Sequence, residues 1–218
     1  MEHLELLMAY TLAPDDNVLD IGAYVGMVLE RAVRRAPRGR HIAYEPLPEL
    51  AAELASHYPQ VEVRNAAVAA SPGTATFFRN APAPAQSSLN RLDVDPGHLE
   101  PLEVRLEALD HDLPSGWAPA LIKIDVEGAE AEVLEGARAL LAQHQPFVVL
   151  EHGLAAAHFG SDPGDVHRLL SEAGLLVYDI DGNGPYDAKG FDDRVRPGDI
   201  WTFVARPPHI VSRRSLDE

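Results

Sequence analysis

Short apolar runs alternate with helical patterns along most of this 218-residue chain, and this alternation restricts the fold more than any other feature. Asn17–Gly22 predicts a buried strand, and the apolar spacing over Met27–Ala36 predicts the helix after it. The same pair recurs at His41–Pro46 with Leu47–Tyr58, and again at Ala120–Val126 with the helical pattern that follows. Strands that are apolar throughout and separated by helices form a parallel sheet covered on both faces.

Further elements follow from the same periodicities. The end of the chain contains a helix over 162–174, with Asp162 as its N-cap, Pro163 at its first position and Gly174 as its stop. The middle section, Ala69–Pro119, is less regular and contains a Pro/Ala/Ser loop at 81–90 that is short enough to be an active-site flap. Additional strands are predicted at 61–68, 73–80, 102–110, 146–153, 175–182 and 199–207.

Composition limits the class of protein. The chain is 46% hydrophobic, which predicts one domain over 1–206 with a flexible tail at 207–218. A net charge of −16 disfavours nucleic acid and anionic membranes as partners. The absence of cysteine excludes disulfides and thiolate metal sites, and the absence of a leader or membrane-length apolar run predicts a soluble, cytoplasmic protein.

The amphipathic stretch His3–Tyr10 leaves packing on the sheet and homodimer formation both open.

A glycine turn follows the first strand. Gly22 and Gly26 stand in this turn, and Glu45 ends the second strand 19 residues after Gly26. A carboxylate there accepts ribose hydroxyls, so the pair indicates a nucleoside-containing cofactor. A dinucleotide turn needs a middle glycine, whereas Tyr24 fills the gap here. The spacing therefore favours S-adenosylmethionine over a nicotinamide cofactor.

The stretch "LIKIDVEGAEAEVLEGA", residues 121–137, concentrates acids where the fourth strand ends. Asp125 is placed to face the cationic end of S-adenosylmethionine or an incoming substrate proton. Glu127 and Glu130 fit either a catalytic role or that of acids at a helix start, where the helix dipole favours them. Lys123, inside a buried strand, is expected to pair with an acid.

Five segments together resemble the FkbM-type S-adenosylmethionine-dependent methyltransferases. They are "VLDIGAYVG", "IAYEPLPEL", "VRNAAVAASPGTATFF", "LIKIDVEGAEAEVLEGA" and "VVLEHG", and the resemblance runs from about residue 17 to 153. The fourth segment is the most specific. Tyr24 stands where the family usually has asparagine.

The resemblance implies a class I methyltransferase fold, which is Rossmann-like: a mostly parallel seven-stranded sheet with helices on both faces and its last strand antiparallel. It implies methyl transfer to a hydroxyl of a sugar, polyketide or other natural product. Cofactor contacts are carried over onto Asp20, Gly22, Ala23, Tyr24, Gly26, Glu45, Pro46, Asn65, Ala66, Ala67 and Asp125.

Methyl transfer to oxygen needs a group that takes the hydroxyl proton. His152, just after the fifth strand, is predicted to be this base because histidine titrates near neutrality, with Glu151 orienting it or taking the proton itself. A metal site built from His152, His158 and His167 with Asp162 and Asp165 lacks the spacing of a compact ligand set, so no metal is predicted. Two alternatives stay open: a nicotinamide-dependent oxidoreductase and a non-catalytic binding module.

Overall fold

The computed structural model describes residues 2–89, 95–153 and 162–209. A seven-stranded sheet has the order β3-β2-β1-β7-β8-β10-β9, in which β10 alone runs antiparallel to its neighbours. This confirms the predicted mostly parallel sheet and its antiparallel last strand. The strands of this sheet are β1 Asn17–Ile21, β2 Ile42–Tyr44, β3 Glu62–Arg64, β7 Pro119–Ile124, β8 Phe147–Glu151, β9 Leu176–Asp179 and β10 Thr202–Arg206.

Helices cover both faces of this sheet, as predicted. Leu4, Met8 and Val28 pack with alternate residues of the central strands on one face, whereas Val133 and Leu170 join the larger core on the other. All six residues of β7 are buried, because side chains leave a strand on alternate faces and both faces are covered here. The helices are α1 Glu2–Thr11, α2 Met27–Arg35, α3 Pro48–His57, α4 Leu109–Asp112, α5 Glu130–Glu135, α6 Arg138–His144, α7 Pro163–Glu172 and α8 Ala188–Val195.

A second, three-stranded sheet stands over one end of the first. Its order is β4-β6-β5, formed by Ala67–Val68, Leu99–Glu107 and Gly73–Asn80. The single strand predicted over 61–68 is therefore wrong, since the chain leaves the main sheet after β3 and pairs with β6 instead. The Asn65 side chain stabilises this departure by donating to the carbonyl oxygens of Glu45 and Pro46 at 3.0 and 2.9 Å.

A buried polar cluster joins the two sheets. The Tyr44 hydroxyl of β2 donates to the Glu107 carboxylate of β6 at 2.9 Å, and the Arg64 guanidinium of β3 donates to both of them. Each buried polar group thus has a partner, which is what its removal from water requires. The second sheet is held in place by this cluster.

The structure confirms the predicted helices α2, α3 and α7 and differs from the pattern-based prediction at three others. The helix after β7 is interrupted at Gly136, where a Cβ would lie 2.2 Å from the Ala69 carbonyl oxygen, so a continuous helix with a larger residue does not fit. Helix α7 begins as predicted, with Asp162 accepting from the Gly164 amide at 2.7 Å and Pro163 at its first position. Helices α4 and α8 were not predicted, and α4 begins at Leu109, inside the strand predicted over 102–110, because β6 ends at Glu107.

Helix α1 packs on the sheet through Leu4 and Met8, one of the two arrangements left open by its sequence. Its opposite side exposes Leu6 and Tyr10, at 55% and 82%, so homodimer formation through this helix stays a prediction. None of the helices in the described part of the chain is long and apolar enough to cross a membrane. The predicted tail lies outside the described residues from 210 onward.

Candidate active site

A cavity of about 280 Å³ opens where β1, β2, β7 and β8 end. Its size is close to the lower end for small-ligand pockets, about 300 to 1,000 Å³. One wall consists of the loops that follow these strands, and the other of the second sheet and the loop after β5. The lining residues are Ile21, Gly22, Tyr24, Tyr44, Glu45, Pro46, Leu47, Ala66, Ala67, Val68, Phe77, Pro84, Ala85, Ser87, Leu89, Asp125, Val126, Glu127, Ala129 and Glu151.

The glycine turn after β1 forms the base of the cavity. Gly22 has a positive φ of 79°, and a Cβ on it would lie 1.8 Å from the Asp125 carbonyl oxygen. Only glycine therefore allows the ends of β1 and β7 to approach so closely. Tyr24 also has a positive φ, of 49°, and its amide donates to Glu45 at 2.8 Å.

Glu45 lines the cavity from the end of β2 and is 4% exposed. Its two carboxylate oxygens accept from the amides of Tyr24 and Leu47, at 2.8 and 2.9 Å. Burial is the largest influence on it and raises its pKa to about 7, while the two amide hydrogen bonds oppose that rise. Each carboxylate oxygen keeps a second lone pair, so the ionised group has acceptor capacity left for a ligand hydroxyl.

Two acids and one lysine meet at the other end of the cavity. The Lys123 ammonium is 3.1 Å from an Asp125 oxygen and 3.5 Å from a Glu151 oxygen, which confirms that this buried lysine pairs with acids. Both carboxylates line the cavity and are about one-third exposed. One lysine thus offsets the charge of two acids, and this end of the cavity stays negative overall.

Asp20 lies beneath this cluster, next to Lys123 in the β1–β7 pairing, and is 1% exposed. Its Oδ2 atom has no hydrogen-bond partner among the described residues. Burial is again the dominant influence and raises the pKa of Asp20 to about 7, against the opposing charge of Lys123. A buried acid without a complete set of partners is unusual in a folded protein and marks functional sites.

Glu127 also lines the cavity. Its place in the sequence left two roles open, a catalytic group or an acid at a helix start. Its φ is 54°, in the left-handed region that only a few per cent of non-glycine residues occupy. Its pKa is raised to about 7, mainly by burial and then by the negative charges of Asp125, Glu130 and Glu151. This left-handed conformation depends on tertiary contacts, and no sequence pattern predicts it.

His152 follows β8 but does not line the cavity. Its side chain is completely covered, stacks on Phe191 with ring centroids 5.9 Å apart, and has Nδ1 3.1 Å from a Glu130 oxygen. The other Glu130 oxygen accepts from the Gly128 amide at 2.8 Å. The pair therefore fixes the loop after β7 to the end of β8. A role for His152 as the base stays a prediction, and this geometry favours a supporting role instead.

The predicted site residues separate into two groups. The cavity is lined by Gly22, Tyr24, Glu45, Pro46, Ala66, Ala67, Asp125 and Glu151, and it is not lined by Asp20, Ala23, Gly26, Asn65 and His152. Ala23 packs in a core cluster, and Gly26 lies against Leu54 and Tyr58. On the second-sheet side, Ser87 and Leu89 line the cavity, which agrees with the active-site flap predicted for the Pro/Ala/Ser loop, whereas Phe77 of β5 was not predicted to be part of the site.

The histidines and acids considered for a metal have other partners. Asp162 caps α7, Asp165 pairs with Arg168 at 3.0 Å, and the Nε2 atom of His167 lies 2.9 Å from the Tyr186 carbonyl oxygen. His158 lies outside the described residues. No group of three potential metal ligands occurs among the residues with a described position.

Fold and cavity together define the architecture of class I methyltransferases. A family model described as "Methyltransferase FkbM domain" matches residues 20–177. The chain belongs to this family, which confirms the resemblance seen in its motifs.

Curated relatives match short segments of the chain. Hexuronic acid methyltransferase AglP of Haloferax volcanii is 49% identical over 57 residues, which are 26% of this chain and 21% of AglP. AMB antimetabolite synthetase AmbE of Pseudomonas aeruginosa is 46% identical over 56 residues, 24% of this chain and 3% of AmbE. The match thus spans only a small part of each relative's length.

Solved structures support the fold. Methyltransferase FkbM from Methylobacillus flagellatus KT is 16% identical with a TM-score of 0.56, and the match covers 89% of this chain and 44% of that one. Geranyl diphosphate methyltransferase in complex with GPP and sinefungin is 13% identical with a TM-score of 0.53, covering 94% and 77%. At these identities the likeness concerns the fold alone.

Proposed function

We propose that the chain is an S-adenosylmethionine-dependent methyltransferase that acts on a hydroxyl oxygen of a small molecule. The observation that carries the proposal is the distribution of charge in the cavity. A buried carboxylate, Glu45, stands at the end of β2, and Asp125, Glu127 and Glu151 stand at the opposite end, where Lys123 offsets part of their charge. Family membership supports the same reaction class.

The cavity fits this cofactor at both ends. Gly22 lines the cavity where it lets the ends of β1 and β7 approach closely, and the incompletely bonded Asp20 lies two residues before it. Glu45 would accept the ribose hydroxyls, and apolar Ala66, Ala67 and Leu47 would contact the adenine. When bound, S-adenosylmethionine supplies a methyl group on a positively charged sulfur, and transfer leaves the electron pair of the broken carbon–sulfur bond on that sulfur.

The chain's own residues then have three tasks. Asp125 and Glu151 provide negative charge near a cationic ligand, and Lys123 fixes the positions of their carboxylates. The loop after β5 covers the cavity and limits water, which strengthens these interactions. A carboxylate of the cluster takes the acceptor proton. The hexuronic acid named for AglP makes hexuronic acids and other sugars the first acceptors to test.

Binding measurements test the proposal. Calorimetric titration should give micromolar binding of S-adenosylmethionine and S-adenosylhomocysteine, with no heat from NAD. Glu45→Gln should weaken both by at least about tenfold, because hydrogen bonds to a charged group contribute about 1.5–3 kcal/mol. Glu53→Gln, an exposed carboxylate on α3, is the matched control and should bind normally.

The outcomes separate the alternatives. Binding of NAD in place of S-adenosylmethionine would favour the oxidoreductase. Cofactor binding without formation of S-adenosylhomocysteine from any hydroxyl acceptor would favour the non-catalytic module.

A further inference from the structure

Glu127 differs from the other carboxylates of the cavity in its surroundings. Lys123 lies within ion-pair distance of Asp125 and of Glu151, so each of these two carboxylates has a cationic partner. Within residues 2–89, 95–153 and 162–209, no Lys or Arg forms an ion pair with Glu127. Of the three carboxylates that line this end of the cavity, Glu127 is therefore the one that no ion pair holds among the described residues.

The backbone holds Glu127 in an uncommon conformation. Its φ of 54° and the φ of 106° at Gly128 turn the chain sharply after β7. A non-glycine residue held there costs about 1–3 kcal/mol and persists where the surrounding structure determines it, commonly at functional sites. Two contacts hold the turn: Ser88 Oγ donates to the Glu127 carbonyl oxygen at 2.8 Å, and Glu130 accepts from the Gly128 amide.

The electrostatic environment suits a base that operates near neutral pH. Asp125 at the end of β7, Glu151 at the end of β8 and Glu130 at the start of α5 all face Glu127, and Lys123 is the opposing cation. Burial and these three acids raise the pKa of Glu127 to about 7. A general base is most effective when its pKa lies near the working pH.

We propose that Glu127 is the general base that takes the proton from the acceptor hydroxyl. The assignment rests on the methyl-transfer function proposed above and gives His152 a positioning role. As the acceptor oxygen forms its bond to the methyl carbon, its hydrogen moves to a Glu127 carboxylate oxygen, and this proton later passes to solvent. Lys123 holds Asp125 and Glu151 in ion pairs nearby, where they provide negative charge for a cationic ligand.

The test compares Glu127→Gln and Glu127→Asp with Glu132→Gln, an exposed carboxylate on α5. S-adenosylhomocysteine formation is measured at saturating S-adenosylmethionine with hexuronic acids, hexoses and diols, from pH 5.5 to 9. The wild-type kcat/KM should rise through an apparent pKa near 7. Glu127→Gln should lower kcat/KM by about 100- to 10,000-fold and abolish that rise, while its S-adenosylmethionine affinity stays within about threefold. Glu127→Asp should recover part of the rate.

A second readout does not need an acceptor. Calorimetry at pH 7 in buffers of different ionisation enthalpy should show wild type releasing up to about a third of a proton more than Glu127→Gln when S-adenosylmethionine binds, because a cationic ligand lowers the pKa of a half-protonated acid. The base assignment alone would be overturned if wild type and Glu127→Gln released equal numbers of protons, or if Glu127→Gln kept the wild-type rate and pH profile. Wild type that forms no O-methyl product from any acceptor would overturn the proposed function and the base with it.

Discussion

Replacing Asp20 with asparagine should stabilise the cofactor-free protein increasingly as the pH rises. Asp20 is 1% exposed, and burial raises its pKa from 3.8 to about 7. Between these two values the folded state holds a proton that the unfolded state has lost. Stability of the wild type therefore falls as the pH increases through this window, whereas an asparagine has no proton to lose.

The magnitude follows from the two pKa values. Each pH unit between them corresponds to about 1.4 kcal/mol. From pH 5 to pH 8, the free energy of unfolding of Asp20→Asn should gain about 2.5 kcal/mol relative to wild type, with most of the change below pH 7. The change with pH isolates the titration, because a packing effect of the substitution would be constant across the range.

Urea unfolding followed by circular dichroism gives the free energy at each pH. Asp15→Asn, an exposed aspartate just before β1, is the matched control and should give a curve parallel to wild type. Parallel curves for Asp20→Asn as well would refute the reasoning, because they would mean that Asp20 titrates alike in the folded and unfolded states.

Three further substitutions test other parts of the site. Gly22→Ala should destabilise the fold by at least about 2 kcal/mol in urea unfolding, because Gly22 has a positive φ and a Cβ there would lie 1.8 Å from a backbone oxygen. Gly73→Ala should change stability little, because the space around Gly73 is open. Lys123→Met should cost about 1–2 kcal/mol at pH 8 and less at pH 5, because the Lys123 charge favours the ionised form of Asp20, which with a pKa of about 7 is protonated at pH 5. An equal loss at both pH values would contradict this coupling. Ser88→Ala removes the hydroxyl bonded to the Glu127 carbonyl at 2.8 Å and should speed S-adenosylmethionine dissociation about fivefold in stopped-flow measurements.

The main sheet was predictable because its signals are local. An apolar run closed by glycine, as at Gly22, predicts both a buried strand and the turn after it. The Asp162–Pro163 pair predicts where α7 begins. Glu45 was predictable for the same reason, since its place at the end of a strand fixes its place in the site.

The remaining features depend on contacts between distant segments. Whether 61–68 continues as one strand depends on β6, some forty residues later, which takes β4 into the second sheet. Glu127 and His152 follow neighbouring strands with similar sequence signals, but packing orients one toward the cavity and covers the other with Phe191. A sequence pattern fixes neither orientation, so the prediction of His152 as the base rested on the ordinary titration range of histidine and on its place after β8.

The acids of the site are also arranged to distinguish a cationic ligand from a neutral one. Asp20, Glu45 and Glu127 each have a pKa raised to about 7, and burial is the main cause in every case. A ligand that carries positive charge into the cavity favours their ionised forms, and its affinity should therefore rise with pH across this range. Methyl transfer removes the charge from sulfur. On the proposed function, the ratio of S-adenosylmethionine to S-adenosylhomocysteine affinity should then increase from pH 6 to pH 8, so that the same acids that attract the cofactor weaken their hold on the product.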